Sequence, residues 1–204
     1  LFASTNADED APEEEAIEEM DEDDDVGVIV IKGANECYTS GGDVKAFPEI
    51  PKNKMSDLHW NIGAPERAEK PVIVAMEKYA FGVGFELAMA CDFRFATKDT
   101  LVGLPESSLG QMPGSGGSVR VARIAGLTRA KDMVMLGTRI PAPKAHEWGL
   151  LTDVAGDADG LQAMVEDYAA KLNALSPIAL ASLKKVLNSA YDSPLKTSLE
   201  VEGH

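Results

Sequence analysis

Apolar residues cluster along the chain in two rhythms: short β-branched runs in the first half and helical spacing in the second. Leu1 to Ala11 is small and polar and carries no periodic signal. Pro12 followed by EEEAIEEMDE predicts a helix over about 12–24. Proline suits a first helical turn, and acids there complement the positive end of the helix dipole. Its apolar positions, Ala16, Ile17 and Met20, form one narrow stripe, which predicts a surface helix ended by the DDD run. VGVIVIKG (Val26 to Gly33) and KPVIVAMEK (Lys70 to Lys78, entered through Pro71) read as buried strands of a parallel sheet, and FRFA (Phe93 to Ala96) as a third. Helices are predicted over Met55 to Ala68 and from about Gly84 to Cys91. Beyond them, helices are predicted within Gly114 to Gly126, over Thr128 to Gly137 with a glycine stop, and over Ala142 to Trp148. LLTDVA reads as a strand. Leu161 to Leu172, Pro177 to Ala190 and a segment after Pro194 follow as helices. Strands alternating with helices, then helices alone, indicate an α/β core over 1–155 and a C-terminal helical region over 156–204.

Composition narrows the function classes only slightly. The 204 residues contain 45 % apolar side chains but no run long enough for a membrane span. The net charge of -15 is concentrated: Asp8 to Asp25 holds 13 acids and no base, leaving 21 acids against 19 bases elsewhere. A salt-adapted surface would spread its acid, so a solvated acidic helix face is the simpler reading. No lysine or arginine stripe exists to neutralise phosphates, which disfavours nucleic-acid binding. Cys37 and Cys91 have no metal-ligand spacing and read as two free thiols in a reducing compartment. The expected location is the cytoplasm, although a chain opening on Leu1 says little about targeting.

Candidate chemistry lies in Tyr79 to Pro113, YAFGVGFELAMACDFRFATKDTLVGLPESSLGQMP. Gly82 and Gly84 precede an apolar helical run carrying Glu86. A second carboxylate, Glu106, stands 20 residues on, between Pro105 and Ser107. Separately they read as a helix-start acid and a solvated loop acid, and spacing leaves their convergence open. Tyr38 to Lys45, YTSGGDVK, adds a glycine turn after a strand, with Asp43 placed to cap a short helix. If the three stretches meet, N–H groups near Gly42 and Val83 would hold a carbonyl oxygen as it gains charge. One such donor is worth roughly 3 kcal/mol of barrier. Two carboxylates in different environments would then divide the proton work. His59 reads as a surface or packing histidine, since no second ligand is spaced for a metal.

The segments YTSGGDVK, YAFGVGFELAMACD, LPESSLGQMPGSGG and TRAKDMVMLGTRIPAPKAHEWGLLTDV, in this order, resemble the crotonase superfamily and its enoyl-CoA hydratases. The resemblance spans roughly Val26 to Ala190. It implies a spiral of ββα units with a helical C-terminal region, assembled as a homotrimer or dimer of trimers. It also implies an acyl-CoA substrate and no cofactor beyond that substrate's CoA moiety. By motif position the oxyanion donors fall on Gly42 and Val83, where relatives commonly carry glycine at the second. The valine side chain tightens the pocket. Glu86 matches the glutamate that helps activate water, and Glu106 the one that also orients water and protonates carbon. Ser40, Gly41, Asp43, Val44, Lys45, Gly84 and Gly114 would border the substrate, with Lys45 near a CoA phosphate or simply solvated. Phe47, Trp60, Phe81 and Met112 are candidate acyl-pocket residues. Relatives also have a first strand with a hairpin partner, of which little is visible upstream of the acidic helix, and further helices beyond His204. Hydration is the expected reaction. Double-bond isomerisation, another enolate reaction or a non-catalytic role are the alternatives.

Overall fold

The β-branched runs form strands because both of their faces find apolar partners. A computed structural model describes residues 2–5, 13–34, 37–42, 59–190 and 193–202. Strand β1 is Phe2–Thr5, helix α1 Glu13–Glu22, β2 Val28–Lys32, α2 Ala64–Arg67, β3 Val72–Met76 and β4 Tyr79–Phe81. Then follow α3 Val83–Ala90, β5 Phe93–Thr97, β6 Leu101–Gly103 and a 3-10 turn Pro105–Leu109. Helices α4 Gly117–Ala125 and α5 Leu127–Met135 lead to β7 Ile140–Pro141, α6 Ala142–Glu147 and β8 Asp153–Ala155. The C-terminal helices are α7 Ala158–Asn173, α8 Pro177–Ser189 and α9 Leu195–Glu202.

Five strands make one sheet in the order β1-β2-β3-β5-β8, and all its pairings are parallel. A smaller sheet, β4-β6-β7, joins β4 and β6 in parallel and β6 and β7 antiparallel. Two successive turns of chain, β3-β4-α3 and β5-β6 with the 3-10 turn, therefore give one strand to each sheet before a helix or helical turn, as in the ββα spiral that the resemblance implies. Alternation along β2 and β3 splits the core. Val28, Val30, Ile73 and Phe95 face Leu161, Val165, Ala169 and Leu172 of α7. Ile29, Ile31, Val72 and Val74 face the cluster that includes Phe85, Met89 and Leu104. Each such fully buried side chain contributes about 1.5–3 kcal/mol. Helix α8 is tied to the sheet by Lys184, whose Nζ lies 2.7 Å from Asp92 Oδ2 and donates to the Lys70 carbonyl at 2.9 Å.

Three sequence expectations change. Phe2–Thr5 is a strand despite its weak pattern, paired with β2 in parallel rather than in a hairpin. The helix expected over Met55 to Ala68 is interrupted: residues 59–62 are helical, a turn follows at Gly63, and α2 restarts. Pro65 has no N–H to continue the first piece and suits the first turn of the second. In LLTDVA only Asp153–Ala155 is strand, while Leu150 and Leu151 are buried in the core just before it. The acidic helix α1 lies at the surface as expected, resting on buried Ile17. Its Asp21 accepts from the backbone N–H groups of Glu69 and Lys70 at 3.0 and 2.9 Å. No described helix is long and apolar enough to cross a membrane.

Candidate active site

Helix α3 is apolar around its axis apart from Glu86, so it is buried from Gly84 to Ala90, and Glu86 goes in with it at 2 % exposure. A buried carboxylate needs hydrogen-bond donors. They come from the glycine-rich loop 29 and 31 residues further on. Ser115 N–H and Gly117 N–H donate at 2.9 and 2.8 Å, both to Glu86 Oε1. Oε2 accepts no hydrogen bond among the described residues. The loop comes this close because Gly117 lacks a side chain: a Cβ there would lie 2.8 Å from Glu86 Cγ and 3.0 Å from Leu104 Cδ1.

Glu106 is placed locally. Pro105 opens the 3-10 turn, and Gly110, in the left-handed region at φ 71°, closes it. Gly110 N–H donates to the Ser107 carbonyl and Gln111 N–H to the Glu106 carbonyl. Glu106 Oε2 is buried without a hydrogen-bond partner among the described residues. Burial pushes the Glu106 carboxyl above the ordinary carboxylate range. The nearby Glu86 charge adds to the rise, and a hydrogen bond from its own backbone opposes it.

The third stretch docks on the other two through its backbone. Thr39 forms a parallel bridge with Ala80, its N–H donating to the Tyr79 carbonyl at 2.9 Å. Tyr38 Oη donates to the Gly84 carbonyl at 3.2 Å. Gly84 must be glycine here, since a Cβ would fall 1.8 Å from Thr39 Cγ2. Gly82 marks the meeting point. Its backbone takes φ 55°, and a Cβ on it would sit 3.2 Å from Glu106 Oε1 and 3.9 Å from Gly41 Cα. The glycine turn, the start of α3 and Glu106 therefore share one small space, with Glu86 close enough for its charge to be felt.

The profile of the family described as enoyl-CoA hydratase/isomerase matches residues 11–204. The chain belongs to the enoyl-CoA hydratase/isomerase family. It is 31 % identical over 191 residues to a putative enoyl-CoA hydratase/isomerase, YngF, of Bacillus subtilis, covering 91 % of this chain and 73 % of that one. It is 32 % identical to a probable mitochondrial enoyl-CoA hydratase of Dictyostelium discoideum, covering 92 % and 68 %. The crystal structure of an enoyl-CoA hydratase from Bacillus anthracis superposes with a TM-score of 0.86 at 30 % identity, covering 93 % of this chain and 75 % of that one. An enoyl-CoA hydratase from Polaromonas sp. JS666 gives 0.85 at 33 % identity, covering 92 % and 76 %. The fold is thus that of the crotonase superfamily, and the protein is an enzyme of the crotonase type.

Among the family positions, Gly41, Gly82, Val83, Gly84, Glu86 and Glu106 are brought together. Gly41 takes φ 106° and its N–H donates to Thr39 Oγ1 at 3.1 Å, with Ser40 and Gly42 exposed on either side. Val83 is partly exposed at the helix start, where first-turn N–H groups have no intrahelical acceptor. Phe81 is buried, stacked on Tyr79 with ring centroids 5.4 Å apart, and the Arg139 guanidinium lies 5.0 Å from its ring. Met112 is 75 % exposed and Gly114 is exposed beside the loop that holds Glu86. Trp60 is also exposed, covered on one face by the Arg67 guanidinium at 3.8 Å. Asp43, Val44, Lys45 and Phe47 lie outside the described residues. Sequence reasoning passed over Ser115 and Gly117 as Glu86's anchors, and over Tyr38 and Thr39 as the dock for the glycine turn. The signal available for the first pair was the GSGG cluster itself. Among the described residues no group of three or more His, Cys, Asp or Glu side chains could hold a metal ion.

Proposed function

We propose that this chain adds water reversibly across the C2=C3 bond of a 2-enoyl-CoA thioester. The observation that carries the reading is the meeting of two unlike carboxylates beside the Gly41–Gly82 contact. Glu86, oriented by two N–H groups, takes a proton from water as the oxygen bonds to C3. The π electrons move toward C2 and the thioester, whose oxygen is held by the N–H groups of Gly42 and Val83. Glu106 delivers the proton to C2, completing addition of H and OH. Its raised pKa suits a group that must carry that proton at moderate pH.

We also propose a trimeric assembly or a dimer of trimers. Exposed apolar side chains that such an assembly could cover are Leu127, Met135 and Leu136 on and just after α5, and Ile178 and Leu195 on the C-terminal helices, each 69 % exposed or more. Sedimentation should give a multiple of three times 21.7 kDa.

Mixing the protein with crotonyl-CoA tests the reaction. Loss of enoyl-thioester absorbance with gain of one water by mass is the expected result, abolished in Glu86→Gln and Glu106→Gln. A product of unchanged mass would make the enzyme an isomerase, in line with the relative from Mycosarcoma maydis described as an enoyl-CoA isomerase/hydratase. A folded chain silent toward short, long and cyclic enoyl-CoAs would overturn the catalytic reading.

A further inference from the structure

Glu86 is oriented by a loop, and that loop is itself braced. Arg120, on the first turn of α4, donates from Nη1 to the Ser115 carbonyl at 2.7 Å. Its other edge forks onto Glu66 of α2, Nε to Oε1 at 2.7 Å and Nη2 to Oε2 at 2.6 Å. The guanidinium fits because Gly116 takes φ 95°, and a Cβ there would lie 2.6 Å from Nη1. Helix α8 joins the same assembly, Asn188 Nδ2 donating to the Glu66 carbonyl at 3.2 Å. One continuous path therefore runs from Glu66 through Arg120 to Ser115, whose N–H holds Glu86 Oε1.

We infer that Arg120, gripped by Glu66, is a positioning residue for Glu86. A part-exposed ion pair adds little to stability, so its effect should show in geometry rather than in folding. The guanidinium makes three hydrogen bonds in one plane, which a lysine cannot reproduce. Without it the 115–117 loop is free to shift, and a displacement near 1 Å in a reacting group costs on the order of 10²-fold in rate. This inference rests on the hydratase reading of Glu86. It adds a dependence of that carboxylate on a residue that touches neither substrate nor Glu86.

The test is hydration of crotonyl-CoA by Arg120→Ala in two backgrounds, parent and Glu86→Gln. In the parent background kcat should fall about 10- to 100-fold with KM within about threefold. In Glu86→Gln the same change should cost less than about threefold, because the residue it positions is already disabled. Glu66, Gly116, Arg120 and Asn188 line a cavity of about 980 Å³, so a small cation can reach the vacated place. Added guanidinium chloride, far below unfolding concentrations, should restore part of the lost kcat in Arg120→Ala and none in the parent. Arg120→Lys should recover little. If Arg120→Ala fails to fold, Glu66→Gln replaces it, with a loss of about 3- to 10-fold and the same dependence on background. Parental kcat in Arg120→Ala or Glu66→Gln, or an equal loss in both backgrounds, overturns the inference while leaving the hydratase reading intact. Parental kcat in Glu86→Gln alone would overturn both.

Discussion

Glu86 gives one oxygen to two backbone N–H groups from a distant loop, whereas Glu106 keeps a buried oxygen, Oε2, with no hydrogen-bond partner among the described residues. Both are glutamates on successive turns of one spiral, and both border the same space. Fixed donors hold Glu86 in place through Oε1, and Oε2 accepts no hydrogen bond among the described residues. Burial, only partly offset by a hydrogen bond from its own backbone, makes the charged form of Glu106 costly, so its proton is retained to higher pH. The contrast teaches that the two roles are assigned by what surrounds each side chain. Residue type is identical at both positions.

The comparison breaks most directly at the carboxylates. Glu86→Gln and Glu106→Gln should each lower kcat by about 10²- to 10⁴-fold, the usual span for a general acid or base, with KM changed far less. Steady-state hydration kinetics check this, and a variant at parental rate would remove its residue from the mechanism. Gly117→Ala probes only the Glu86 side. Its new Cβ presses on Glu86 Cγ, so kcat should drop by on the order of 10²-fold while both carboxylates remain.

A smaller effect sharpens the Glu106 side. An acid whose pKa is raised in the folded chain binds its proton more tightly folded than unfolded. The stability penalty is therefore absent below the ordinary carboxylate value near about pH 4 and grows as pH rises through the folded value. Glu106→Gln lacks it, so denaturant midpoints should move in the variant's favour on going from acid to neutral pH. A difference between variant and parent that stays constant across that range would contradict the assigned environment. Smallest of all is a control at Cys91, the residue that ends helix α3. Burial pushes the Cys91 thiol up to about 12, so a thiol reagent at mild pH should modify Cys37 alone in the native chain and both thiols after unfolding.

The sequence made some of this visible and hid the rest for physical reasons. Strands Val28–Lys32 and Val72–Met76 were readable because β-branched residues fill both faces of a parallel sheet. The second sheet was not, since Tyr79–Phe81, Leu101–Gly103 and Ile140–Pro141 are too short for any period to show. Phe2–Thr5 has one large apolar side chain and gains its order from pairing with β2. At the site, the glycines carried the signal: Gly41 and Gly82 both take positive φ, and Gly84 lies against Thr39. What could not be read was Glu86's burial. Its donors come from 29 and 31 residues away, and their approach depends on packing that spacing does not encode.

The division of labour itself can be isolated with butyryl-CoA, which has an acidic C2 proton but no double bond to hydrate. Exchange of that proton with deuterium from D2O needs the oxyanion donors and the group that handles C2, and no water activation. The account predicts that Glu106→Gln abolishes the exchange while Glu86→Gln retains most of it. Exchange lost in Glu86→Gln and kept in Glu106→Gln would contradict the assignment.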